Sequence, residues 1–122
     1  MHFKKLGNTG LKVSQICLGT MNFGNQVSES EAINIIDNAL GAGVNFIDTA
    51  DVYAENKSEE IVGRALKGKR ESVVLATKVA NRTGPDINDI GLSRKHIMRA
   101  INESLRRLKT DYRPLLCSLA RL

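Results

Sequence analysis

Two short apolar runs constrain this chain more than any other feature. Asn45-Phe46-Ile47 runs into Asp48, and Val73-Val74-Leu75-Ala76-Thr77 runs into Lys78. They lie roughly 30 residues apart, the spacing of βαβ units. The second run is apolar almost throughout, as parallel strands covered on both faces are. Connections of this kind are right-handed, so the two runs should lie side by side and point the same way. Each ends in a charged residue, and Tyr53 follows Asp48 closely.

The rest of the chain fits the same alternation. Phe3 to Leu6 and Leu11 to Val13 flank Gly7-Asn8-Thr9-Gly10, which reads as a β-hairpin. Gln15-Ile16-Cys17-Leu18 reads as a short buried strand, ending at the loop Gly19-Thr20-Met21-Asn22-Phe23-Gly24. Ser28 and Glu31 have capping-box spacing, and Ala32, Ile35, Ile36, Ala39 and Leu40 give a helix its apolar face. Gly41 and Gly43 end that helix. Ser58 is the expected cap of a second helix with Glu59 and Glu60 in its first turn, Ile61, Val62, Ala65 and Leu66 on its buried face, and Gly68 as its stop. After Val73–Thr77 comes a loop from Ala80 to Gly91 with a turn at Gly84-Pro85-Asp86. Ser93 then opens the longest helix, whose apolar stripe is Ile97, Ala100, Ile101, Leu105 and Leu108. Thr110-Asp111-Tyr112 leads towards a fourth strand. The class is α/β. From pattern alone, an open doubly wound sheet and part of a barrel both fit.

Composition narrows the function classes. The chain has 122 residues, 42% of them apolar and 25% charged, which suits one soluble domain. No window holds the roughly 18 apolar residues of a membrane span, and no apolar h-region follows the basic N-terminus. The net charge of +5 is spread over the sequence, except for Lys67-Gly68-Lys69-Arg70 and Arg106-Arg107-Leu108-Lys109. Both clusters fall at expected helix ends, where cations complement the dipole. Aromatic residues make up only 4%, too few for base stacking, so nucleic acid is not an expected partner. Cys17 and Cys117 lack the spacing of a metal site or a disulfide framework, which favours a reducing cytoplasm. His2 and His96 are expected on the surface. Neither G-x-G-x-x-G nor G-x-x-x-x-G-K-[ST] is present, which argues against a Rossmann turn and a P-loop.

The chemistry-bearing residues gather at one end. Parallel α/β proteins collect ligands at the C-terminal ends of their strands. Asp48 and Lys78 hold that position on consecutive strands, and Tyr53 is close enough to fold over the same mouth. A phenol beside an ammonium gives up its proton more readily, because the cation stabilises the phenolate. A carboxylate holds the ammonium in place. Such a trio suits a general acid that protonates a developing oxyanion, as carbonyl reduction by hydride transfer requires. A plain Asp48–Lys78 salt bridge beside an unrelated tyrosine fits the spacing equally.

The stretch Gly43-Val-Asn-Phe-Ile-Asp-Thr-Ala-Asp-Val-Tyr53, with Ser58-Glu-Glu-Ile-Val-Gly63, resembles the first signature of the aldo-keto reductase family. Phe3 to Ser14, Leu18 to Gly24, Ala76-Thr-Lys-Val79, Leu92 to His96 and Ser104 to Tyr112 resemble it too. The resemblance therefore covers Met1 to Tyr112. It implies a (β/α)8 TIM barrel preceded by a β-hairpin, of which this chain is the N-terminal part. It also implies NADP(H)-dependent reduction of a small carbonyl substrate. Asp48 then matches the catalytic aspartate, Tyr53 the proton donor and Lys78 the lysine that tunes it. Gly19, Thr20 and Met21 match the loop that touches the cofactor, with Asp48 beside it, and no metal is implied. Asn56-Lys57 departs from a loop that more often contains glycine, which leaves its shape open.

Residues 1–122 are thus expected to form a partial reductase domain with an atypical tail, 113–122. The family's fourth catalytic group, a histidine ending the fourth strand, has no counterpart in that tail, and Pro114 is poorly suited to a central strand. A frame shift just after Tyr112 accounts for it. Suitable codons for Ile-Asp-Leu-Tyr-Tyr-Val-His-Trp-Pro-Gly, read two bases later, give Arg-Pro-Leu-Leu-Cys-Ser-Leu-Ala-Arg. DNA downstream of Tyr112 with no such string in another frame would exclude that origin. Three βα units cannot close an eight-stranded barrel, so the expected state is an inactive fragment with exposed sheet edges through which it associates. An interaction or regulatory module of the same family is the alternative.

Overall fold

The computed structural model describes residues 1–112 and 115–118. Two strands, β1 (Phe3–Lys5) and β2 (Lys12–Ser14), form the antiparallel hairpin expected around the Gly/Asn turn. A four-stranded parallel sheet follows, in the order β3 (Leu18–Gly19), β4 (Phe46–Asp48), β5 (Val74–Val79) and β6 (Leu115–Ser118). Between its strands run α1 (Glu29–Gly41), α2 (Lys57–Ala65) and α3 (Arg94–Arg107). Strand order equals chain order, and β3 and β6 are the two edges among the described residues. This is an open part of a barrel.

Each helix starts for a local reason. Ser28 caps α1 with a complete capping box: its hydroxyl accepts the Glu31 amide, and the Glu31 carboxylate accepts the Ser28 amide. Ser93 caps α3 by accepting the His96 amide. The second helix departs from expectation. It begins at Lys57 after Asn56, whose backbone is left-handed and which makes no side-chain cap. Ser58 therefore lies inside the helix, and its hydroxyl turns to the interior. The helix also stops at Ala65 with Leu66 as its C-cap, before Gly68.

The strands differ from expectation at their ends. The first is only Leu18–Gly19, because Ser14 and Ile16 are drawn into other bonds: the Ser14 hydroxyl donates to the Ile16 carbonyl at 2.6 Å. Asn45 belongs to no strand. Its side chain accepts the Ser14 amide at 2.7 Å and donates to the Lys12 carbonyl at 3.1 Å. It thereby ties the hairpin to the N-terminal end of the sheet. The third barrel strand is shifted to Val74–Val79, so Lys78 lies within it. The fourth forms at Leu115–Ser118, after Pro114 and on an edge, where a nearby proline is tolerated.

Side chains alternate across the sheet. Ile47 and Leu75 are buried with Phe23, Ala32, Ile36 and Val62 beneath the helices, each large aliphatic contributing about 1.5–3 kcal/mol. At the α2–α3 crossing, a Cβ on Gly63 would lie 2.5 Å from the Arg107 carbonyl oxygen and 2.8 Å from Leu108 backbone atoms. Only glycine lets the two helices approach this closely. No helix among the described residues is long and apolar enough to cross a membrane.

Candidate active site

Asp48 is the last residue of β4 and pairs in register with Ala76 of β5. Lys78 is two residues beyond Ala76, so its side chain shares the face of Asp48. The two meet: the Lys78 ammonium donates to Asp48 Oδ2 at 2.5 Å. It also donates to the Thr49 carbonyl at 2.9 Å and to Tyr53 Oη at 3.1 Å. The same ammonium lies 4.7 Å from the centre of the Tyr53 ring. Acid, amine and phenol therefore form one connected group at the strand ends, and all three are half-buried. Burial works against the Lys78 charge, but the hydrogen bonds to Asp48 and Tyr53 outweigh it and hold the ammonium above the ordinary lysine value.

The loop that carries Tyr53 has an unusual backbone. Ala54, Glu55 and Asn56 all have positive φ, at 48°, 54° and 73°. Left-handed backbone in non-glycine residues costs roughly 1–2 kcal/mol per residue. The sequence left the shape of this loop open at Asn56-Lys57, and Asn56 takes the left-handed conformation that glycine adopts most easily. Its side-chain amide donates to the Asp51 carbonyl, and the Ser58 amide donates to the Tyr53 carbonyl at 3.4 Å.

The expected cofactor loop divides in two. Gly19 and Met21 are exposed, Met21 at 62%, and a Cβ on Gly19 would meet nothing within 4 Å. Thr20 is fully buried. Its hydroxyl lies 2.8 Å from the Ser58 hydroxyl and donates to the Asp48 carbonyl at 3.1 Å. Ser58 in turn donates to the Thr20 carbonyl and lies 3.2 Å from the Thr49 hydroxyl. Thr20, Thr49 and Ser58 thus weld β3, β4 and α2 together beneath the site.

A second buried cluster supports α2. Glu59 is 0% exposed, accepts the Thr77 hydroxyl at 2.6 Å and pairs with Arg107 at 2.7 Å. Arg107, which falls at the expected helix end, is drawn inward by this pair. His96, expected on the surface, is 1% exposed, and neither ring nitrogen has a hydrogen-bond partner among the described residues. His2 is exposed as expected. In the β5–β6 ladder the residue opposite Lys78 is Cys117, and Cys17 and Cys117 are both free.

The Aldo/keto reductase family profile matches residues 15–118. The chain belongs to the aldo/keto reductase family. The match runs six residues past Tyr112, where the sequence resemblance stopped. This reductase-family chain is 45% identical, over 116 residues, to a probable voltage-gated potassium channel subunit beta of Arabidopsis thaliana, covering 92% of the chain and 35% of that protein. It is 40% identical over 114 residues to an uncharacterized oxidoreductase of Bacillus subtilis (strain 168), covering 92% and 37%. Among solved structures it is similar to an aldo-keto reductase from Bacillus halodurans in its holo form. The TM-score is 0.84 at 40% identity, and the overlap covers 97% of the chain and 40% of that structure. The chain therefore spans well under half the length of the relatives it matches. Membership supports a general oxidoreductase role.

Proposed function

We propose that the chain carries the proton-donating part of a reductase site that turns aldehydes or ketones into alcohols. In this reading Tyr53 protonates the carbonyl oxygen as hydride arrives at the carbon. Lys78 stabilises the negative charge left on the phenol oxygen, and Asp48 fixes Lys78. The observation that carries the reading is the single ammonium bonded at once to Asp48 Oδ2 and Tyr53 Oη. A structural salt bridge alone gives no reason for the third bond.

NADP(H) supplies the hydride when bound. The exposed Gly19 and Met21, with open space around Gly19 and the Asp48 carboxylate beside it, fit a ligand approaching the strand ends. The Thr20 hydroxyl is committed to the interior, so this residue contributes by shaping the loop. Because the chain covers 35–40% of its relatives, we propose that it binds NADPH weakly and does not turn over by itself. Robust NADPH oxidation with a generic aldehyde by the purified chain contradicts this.

A second reading has its own support. Relatives at 45% identity are named as probable potassium channel beta subunits, and both sheet edges are open among the described residues. A non-catalytic interaction module uses those edges to associate. Co-purification with a full-length relative as a stoichiometric, soluble complex supports that module, and aggregation without a defined stoichiometry counts against it.

A further inference from the structure

Behind the Tyr53 loop lies a carboxyl that the proposed reaction does not use. Asp51 is 1% exposed, and neither carboxyl oxygen has a hydrogen-bond partner among the described residues. A buried polar group left in this way is costly, and such groups cluster where structure serves function. Its backbone is anchored on both sides. The Asp51 amide donates to the Lys78 carbonyl at 3.4 Å, and the Asp51 carbonyl accepts the Asn56 side chain at the far end of the loop. Tyr53 lies between these two anchors.

The charges around Asp51 come from three elements. Glu59 of α2 repels it and Arg107 of α3 attracts it, and those two are paired with each other. Lys78 of β5 is engaged with Asp48, Thr49 and Tyr53. Burial, followed by the Glu59 charge, pushes the Asp51 carboxyl up to about 6. Arg107 and the nearby Val52 and Asp51 amides oppose this, the amides without reaching hydrogen-bond geometry.

We propose that Asp51 is a positioning residue for Tyr53: a change of charge on its buried carboxyl moves the 51–56 loop and so the phenol relative to Lys78. When charged, the carboxylate draws the Asp51 and Val52 amides towards it. When protonated, it releases them and no longer repels Glu59. The consequence for catalysis rests on Tyr53 being the proton donor; the loop movement does not.

The test is a pH titration of the isotopically labelled full chain between about pH 4.5 and 8, followed by NMR. In wild type, the amides of 51–56 and the Asp51 carboxyl carbon should follow one midpoint near 6. In D51N the amide response should be lost. His96 is buried as well, but it sits roughly 16 Å along α3 from Arg107 at 1.5 Å per residue. H96Q should therefore keep the midpoint. Loop amides that ignore pH, or a midpoint that survives in D51N, overturn the proposal. Should D51N not fold, different midpoints for the carboxyl and the amides in wild type overturn it equally. Failure of the donor assignment, read as aldehyde-dependent turnover from a Tyr53→Phe variant of a full-length relative carrying residues 1–112 of this chain, leaves this titration unchanged.

Discussion

An Asp51→Asn substitution keeps the shape of the carboxyl and removes its charge. The folded chain holds the Asp51 proton up to about pH 6, whereas the ordinary value is 3.8. Between those values the native state binds the proton and the unfolded state has released it, so stability falls as pH rises through the window. At about 1.36 kcal/mol per pH unit, the full rise costs the folded chain up to roughly 3 kcal/mol above pH 6. The neutral amide escapes that cost. The variant should therefore be more stable than wild type at pH 7, with the gap shrinking through pH 6 and gone near pH 4. Surface pairs such as Glu29 with Arg64 are common to both proteins and cancel in the difference. Urea unfolding followed by far-UV circular dichroism at several pH values reads the gap directly. A variant less stable than wild type at pH 7, or a gap independent of pH, would refute the reasoning.

Two further substitutions test the scaffold. Gly63→Ala puts a methyl group against Arg107 and Leu108 backbone, which cannot yield as a flexible side chain would, and should cost about 1–3 kcal/mol or more; an unfolding midpoint equal to wild type contradicts the close helix crossing. Ser28→Ala removes one half of the α1 capping box and should cost about 0.5–2 kcal/mol, read from the same denaturation curves, with no change expected in the chemistry-bearing residues.

The parts of the fold that were legible are those set by short-range rules. The Ser28–Glu31 box and the Gly/Asn hairpin act over a few residues and appear as expected, and the apolar runs before Asp48 and Lys78 form neighbouring parallel strands with shifted ends, Asn45 falling outside and Lys78 inside. What stayed hidden depends on partners far along the chain. Ser58 has the composition of a cap, but Thr20 and Thr49 recruit its hydroxyl, and Asn56 takes the helix start by going left-handed. Glu59 reads as a first-turn carboxylate, yet Arg107, 48 residues later, makes it a buried ion pair. His96 carried a signal that was available. With Ala100 and Ser104 it recurs every fourth residue, and the buried face of α3 follows that row. Of the expected stripe, Ala100, Ile101 and Leu108 are buried, whereas Ile97 and Leu105 are only half-buried. The site itself was half legible: spacing brought Asp48 and Lys78 to one rim, but only the folded loop brings Tyr53 Oη to Lys78.

The central claim is that Tyr53 gives the proton. Its most direct test is aldehyde-dependent NADPH oxidation by a chimera in which residues 1–112 replace the matching segment of the Bacillus subtilis oxidoreductase. Tyr112 is a built-in control, because its hydroxyl is bound to Arg70 ahead of β5, at the opposite end of the strands. Tyr53→Phe should lower kcat by about 100- to 10,000-fold, while Tyr112→Phe leaves it near the parent value. A Tyr53→Phe chimera as fast as its parent would contradict the account.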